Sequence, residues 1–184
     1  MVEMAQAITD GGARILQIRH KGVWSEEILE QAQKVQEITP LLIINDRGDI
    51  ARILNAGLHV GQTDLPPQEA RQLLPKSVIG LSTHNSEQFR KAAAEPVDYL
   101  AVGPVFQTSS KLNPDPVVGL GLLNEVRPLT PLPIVAIGGI HRGNAVEVIE
   151  AGADSVAVIG DLYPEELTPQ SLRKRVEEWA RLLS

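Results

Sequence analysis

Seven short apolar runs alternate along this chain with segments whose apolar residues recur at helical spacing. The runs fall at residues 15–19, 41–45, 58–61, 78–82, 99–105, 134–138 and 155–159. They are uniformly apolar rather than alternating, which is the pattern of parallel strands covered on both faces. Helical spacing predicts helices over 2–9, 25–37, 49–55, 67–74, 86–94, 120–126, 144–150 and 171–183. Ser25 before Glu26 and Glu27, and Asn85 before Ser86 and Glu87, carry the oxygen-bearing side chains that cap helix starts. The stretches TDGGARILQI, LNAGLHVGQ and EAGADSVAVIG share one shape, a weak internal repeat. It reads as a helix stopping at glycine in a left-handed cap, then a short link into the next strand. The one long irregular stretch, 107–119, is rich in Ser, Asn and Pro, and a loop of that length usually has a job.

The chain of 184 residues is sized for one buried core, so residues 1–184 are expected to form a single domain. Its 17 Lys+Arg against 23 Asp+Glu give a net charge of −6, which argues against a nucleic-acid binder held by phosphate contacts. Aromatic residues make up 3%, which also argues against base-stacking platforms, and the core must be aliphatic. Small molecules are the expected partners. Without cysteine there is no disulfide framework, thiolate metal site or cysteine nucleophile. No apolar run approaches the roughly 20 residues of a membrane span. The first residues lack the basic and apolar stretches of a signal peptide, and a cytoplasmic protein is expected.

Eight helices with seven strands fit two architectures. One is a (β/α)8 TIM barrel lacking its first β-strand at the N-terminus, and the other is an open doubly wound sheet. Polar residues repeatedly follow the strand ends, where a barrel keeps its active site, and this favours the shortened barrel. The edges of its first and last strands would then be unpaired, and such edges invite self-association into a homo-oligomer.

The first run ends with Gln17, Arg19 and Lys21 at every second position, on one face of an extended chain. Two cations and an amide there suit a phosphorylated ligand, or else cap the strand on a solvated rim. The next runs lead into Asn45-Asp46-Arg47 and into His59-Val60-Gly61-Gln62-Thr63-Asp64. Taken singly, Asp46 fits a helix N-cap or a partner of Arg47, and Asp64 an N-cap before Pro66-Pro67. As a pair of hard oxygen donors they favour Mg2+, with substrate phosphate and water completing its shell. Ser82 is a donor for phosphate oxygens. His84, beside Asn85, fits a loop hydrogen-bonding group better than a catalytic base. Thr108, Ser109, Ser110 and Lys111 form a loop of hydroxyls and an ammonium able to close over anionic oxygens. Gly138-Gly139 and Ile159-Gly160 stand where barrels commonly bind phosphate through backbone N–H groups.

The stretches LQIRHK, LLIINDR, GLHVGQTDLP, IGLSTHN, YLAVGPVFQTSSK, LPIVAIGGI and AGADSVAVIG, in this order over most of the chain, resemble the thiamine phosphate synthase and thiazole tautomerase family. The resemblance implies a (β/α)8 barrel that joins a hydroxymethylpyrimidine pyrophosphate to a thiazole phosphate with Mg2+, giving thiamine phosphate and pyrophosphate. It implies that Arg19, Lys21, Asn45, Ser82 and Lys111 hold the pyrophosphate, with Lys111, Arg19 and Ser82 acting in catalysis. It implies Asp46 and Asp64 as the metal ligands and Gln17 facing the pyrimidine. It assigns the thiazole phosphate to Thr108, Ser110, Gly139 and the Ile159-Gly160 backbone. Three departures from the family pattern stand out. The strand and aromatic turn expected before the first helix are missing, Gln107 replaces a proline, and Gly160 replaces a serine. Two other functions carry over less of the motif set. A tautomerase would use His84 to move a proton, and a non-catalytic homologue would only bind phosphorylated ligands.

Overall fold

Parallel neighbours cannot be joined by a tight turn, so each strand of a parallel sheet is followed by a crossover that has room for a helix. The computed structural model, which describes residues 1–108 and 115–184, follows this rule throughout. Helix α1 (Val2–Asp10) leads into β1 (Ile15–Ile18), α2 (Glu26–Ile38), β2 (Leu41–Asn45), α3 (Gly48–Leu54) and β3 (Gly57–Val60). Then come α4 (Pro67–Leu73), β4 (Ile79–Thr83), α5 (Ser86–Ala92), β5 (Tyr99–Val102) and α6 (Gly119–Val126). The chain ends with β6 (Ile134–Ile137), α7 (Ala145–Glu150), β7 (Ser155–Ala157) and α8 (Pro169–Leu182). All six strand pairs are parallel, and the order across the sheet is the order in sequence.

The sheet is a curled half-barrel, TIM-barrel-like, rather than the flat doubly wound alternative. Its seven strands do not close, because β1 and β7 have no ladder between them. The complete eight-stranded barrel short of one strand is therefore not what these strands by themselves display. Helices α1 and α8 nevertheless pack together across the opening. A Cβ on Gly11 would lie 2.6 Å from the Cβ of Val176 and 2.8 Å from the Arg173 carbonyl, so this contact needs glycine. The inner-face residues of the edge strands are correspondingly open, with Ile15 54% exposed and Ser155 exposed.

The uniformly apolar reading of the strands is half right. Alternate residues point to opposite faces. Leu42, Ile44, Leu58, Val60, Ile79, Leu81, Leu100, Val102, Ile134 and Ala136 merge with helix residues such as Ala32, Val35, Ile50, Phe89, Leu123 and Val148 in one aliphatic core. The intervening positions form the inner face, and there Gln17, Asn45, His59, Ser82 and Tyr99 sit among glycines and aliphatics.

Both expected side-chain caps are present at helix starts. The Ser25 and Asn85 side chains accept from the N–H groups of Ile28 (3.3 Å) and Gln88 (2.9 Å). Helix α8 starts earlier than its apolar spacing shows, because Thr168 and Ser171 form a reciprocal capping box with Pro169 in the first turn. The left-handed glycine caps need correction. Gly12 and Gly152 do take positive φ (+108° and +109°), but after α3 the left-handed residue is Asn55. Gly57 instead opens β3, where a Cβ would meet the Val78 carbonyl at 2.9 Å.

One clamp occurs twice where strands begin. Asp98, just before β5, accepts from the Ile79 N–H at 2.7 Å and from Arg71 at 2.7 Å, and Arg71 also donates to the Ser77 and Pro96 carbonyls. Asp154, just before β7, accepts from the Ile134 N–H at 2.8 Å and from Arg127 at 2.5 Å, and Arg127 also donates to the Thr130 and Leu132 carbonyls. Each carboxylate thus satisfies the first N–H of a strand. Replacing either by alanine is expected to cost about 1–3 kcal/mol, the range for leaving such a donor unpaired. The clamps share no partner, so the double variant should show the sum. Urea unfolding of the four proteins checks this.

Candidate active site

Because the strands are all parallel, their carboxyl ends share one rim, and the residues that follow them converge there. Gln17 and Arg19 project from the end of β1 and are exposed, and Lys21 follows. Lys21 reaches across to the end of β2, where it forms an ion pair with Asp46. Asp46 sits in the left-handed region at φ 63°, held by its N–H donating to the His59 carbonyl at 2.8 Å. Its neighbour Arg47 pairs with Asp49 and is itself the residue that precedes α3, so both alternatives for Asp46, the helix cap and the pairing with Arg47, are overturned.

Asp64 comes from the turn after β3, where its carboxylate accepts from the Gly61 N–H at 2.8 Å. The residue before α4 is Pro66, without a side-chain cap, so Asp64 is not a helix cap either. Burial and the neighbouring Asp46 carboxylate push Asp64 above the usual carboxylate range, against the pull of the Gly61 N–H and of Lys21. Two close carboxylates on hard-oxygen chemistry, one of them reluctant to ionise, are the donor set that a divalent cation relieves. Among the described residues no group of three or more metal-ligating side chains occurs, so any metal here would take its remaining ligands from substrate and water.

Ser82, on the inner face of β4, receives a contact that the sequence did not suggest. His59 Nε2 lies 2.8 Å from Ser82 Oγ, and His59 Nδ1 lies 2.8 Å from the Tyr99 hydroxyl. Burial lowers the His59 pKa to about 4, so the ring is neutral at physiological pH, and burial also raises that of Tyr99. The only sequence signal for this trio was a histidine inside an otherwise apolar run. His84 behaves as the loop-bonding group expected of it. Its Nδ1–H donates to the Gly103 carbonyl at 2.6 Å, and Nε2 faces Asp115 at 3.6 Å.

The far side of the rim is built from backbone. Val105 and Phe106 donate to the carbonyls of Ile137 and Gly138, which extends the β5–β6 pairing past Pro104. Gly139, at φ 64°, packs so closely that a Cβ would lie 2.4 Å from the Gln107 carbonyl and 2.8 Å from the Phe106 Cβ. Asn144 accepts from the His141 N–H and donates to the Gly139 carbonyl. Ile159 is exposed and precedes the short 3-10 turn Gly160–Leu162, where Gly160 faces open space. Arg142 ties these two loops to α8 through Asp161, at 2.9 Å, and Glu178. Sequence reading missed that brace, since its residues lie in three separate elements. Ser110 and Lys111 lie outside the described residues.

A family model described as thiamine monophosphate synthase matches residues 1–162. The chain belongs to this family. It is 46% identical to a thiamine-phosphate synthase of Koribacter versatilis over 188 residues, covering 100% of this chain and 86% of the relative. A thiamine-phosphate synthase of Methanoculleus marisnigri is 41% identical, over 95% of this chain and 87% of the relative. Among solved structures, a thiamine phosphate pyrophosphorylase from Pyrococcus furiosus superposes with a TM-score of 0.86 at 31% identity, covering 99% of this chain and 88% of that one. A 3-hexulose-6-phosphate synthase at 18% identity and TM-score 0.66 shares the fold alone.

The raised Asp64 pKa has a sign that can be measured. The folded protein holds that proton more tightly than the unfolded chain, so ionising Asp64 costs stability above its folded pKa. The cost disappears as pH falls below the ordinary Asp value of about 3.9. Asp64→Asn keeps an acceptor for the Gly61 N–H and removes the charge. In a chelating buffer its melting temperature should exceed the parent's at about pH 7, with the gap closing near pH 3.5. Thermal melts at the two pH values check it.

Proposed function

We propose that this chain is a thiamine-phosphate synthase. It joins 4-amino-2-methyl-5-hydroxymethylpyrimidine pyrophosphate to a thiazole phosphate and releases pyrophosphate. The observation that carries the reading is the gathering of Arg19, Lys21, Asp46, Asp64 and Ser82 on one rim, opposite a glycine-lined backbone cradle, in a chain of this family. Phosphorylated small molecules suit such a rim, and the cytoplasm is the proposed place of work. No helix among the described residues is long and apolar enough to cross a membrane.

Asp46 and Asp64 would hold Mg2+, which when bound would neutralise charge on the departing pyrophosphate. Arg19, Lys21, Asn45, Ser82 and Lys111 would bind that pyrophosphate, Arg19 with a fork and the lysines as point charges. Gln17 would face the pyrimidine from the inner side of β1. Thr108, Ser110, Gly139 and the Ile159–Gly160 backbone would hold the thiazole phosphate across the opening. Departure of the pyrophosphate ahead of attack by the thiazole nitrogen calls for no general base. The chain's work is then to stabilise leaving charge and to position the acceptor. The relatives named above are synthases, and Arg19, Asp46 and Asp64 are all present on the rim, which favours the synthase over a tautomerase or a binding homologue. The α1–α8 contact and the open inner faces of β1 and β7 support reading the sheet as seven staves of an eight-stave barrel.

Incubation with both substrates and Mg2+ should yield thiamine phosphate and pyrophosphate in equal amounts. Asp46→Ala and Asp64→Ala should each lower turnover by orders of magnitude. An Asp64→Ala protein that matches the parent in limiting Mg2+ overturns the metal assignment.

Lys111 is proposed to meet the pyrophosphate's growing charge chiefly as the bond breaks. Lys111→Ala should therefore reduce kcat more than it raises KM. Steady-state kinetics separate this from a simple binding role, in which KM alone would change.

A further inference from the structure

Asn45, His59, Gly80 and Tyr99 are cross-strand partners in one row over β2, β3, β4 and β5. Tyr99 leans across the row rather than along its own strand. A Cβ on Gly80 would lie 2.0 Å from the Tyr99 ring, so glycine at that position is what admits the phenol. The Tyr99 and His59 rings stack with centroids 5.6 Å apart and planes at 27°. The phenol hydroxyl lies 2.8 Å from His59 Nδ1, and Ser82 Oγ lies 2.8 Å from Nε2.

The tautomer of His59 decides which way the hydrogens along this chain run. Among the described residues the Tyr99 hydroxyl has His59 Nδ1 as its sole hydrogen-bonding partner. The phenol is partly buried and carries its proton, and Nδ1 is the protein acceptor within its reach. A neutral imidazole that accepts at Nδ1 carries its hydrogen on Nε2. Nε2–H then donates to Ser82 Oγ, and the Ser82 hydrogen is left to point elsewhere. We propose that Tyr99 and His59 are positioning residues that fix Ser82 as a hydrogen-bond donor toward the rim, where an anionic phosphate oxygen accepts it. In the opposite tautomer Ser82 would spend its hydrogen on Nε2 and offer an anion only lone pairs. The inference rests on the proposed assignment of Ser82 to the pyrophosphate and adds the residues that orient it.

The test is a double-mutant cycle on the whole chain, with thiamine phosphate formation as the assay. Tyr99→Phe removes one oxygen and keeps the ring over Gly80. It should lower kcat/KM for the pyrimidine pyrophosphate by about tenfold, the scale of one misdirected hydrogen bond. In a Ser82→Ala background the same change should have no effect, because there is no hydroxyl left to orient. An equal loss in both backgrounds, or no loss in the parent, overturns the proposal, as does a Ser82→Ala protein with full activity. Nitrogen-15 NMR of the His59 ring reads the tautomer without any assay. Hydrogen on Nε2 in the parent supports the relay and hydrogen on Nδ1 overturns it, whether or not Tyr99→Phe folds. A parent chain that makes no thiamine phosphate yet shows the Nε2–H tautomer separates failure of the functional reading from failure of the relay.

Discussion

Parallel pairing in strict sequence order is the constraint from which the remaining features follow. It forces a helix-bearing crossover between neighbours, which covers the outer face with aliphatic side chains. It also delivers every strand's carboxyl end to the same rim. Residues two apart on one strand share a face, so a single inner face is left for chemistry while the outer face keeps the core. Residues far apart in sequence, from Gln17 to Gly160, are thereby brought to one rim.

The two ends of the sheet do different work. Where strands begin, carboxylates are spent on structure: Asp98 and Asp154 each complete a strand N–H and tie down an arginine. On the opposite rim, carboxylates are held in less comfortable states. Asp46 occupies a left-handed backbone conformation, which for a non-glycine residue costs about 1–3 kcal/mol, and Asp64 is crowded by it and by burial. Lys21 offsets part of that charge through its pair with Asp46. Strain and like charge concentrated where ligands would bind, and relief where they would not, are consistent with a rim arranged for an anionic substrate and a cation.

The Arg142 brace performs a related task for the backbone cradle. By joining Asp161 and Glu178 it couples the loop after β6, the turn after β7 and α8. The same helix α8 packs on α1 across the open side of the sheet. The glycine-rich end of the rim is thereby anchored to the element that spans the gap.

Element types and their order were legible in the sequence because hydrophobic period and capping residues act over a few neighbours, as at Ser25 and Asn85. The rim residues were legible too, since a polar side chain just past an apolar run stands at a strand end, as Arg19 and Asp46 do, with Asp64 in the turn after β3 and Ser82 near the end of β4. Which carboxylate pairs with which cation was decided by distance in space: Arg47 turned to Asp49, and Lys21 crossed strands to Asp46. The chain from Tyr99 through His59 to Ser82 belongs to three strands and depends on Gly80 leaving room, and sequence spacing carries no information on such a row until register is set. What the sequence by itself determined was therefore local: the alternation of strand and helix, and the chemistry available at each strand end. Curvature, register and the partners of each polar group were decided only by the tertiary structure, because they depend on cross-strand contacts between residues distant along the chain.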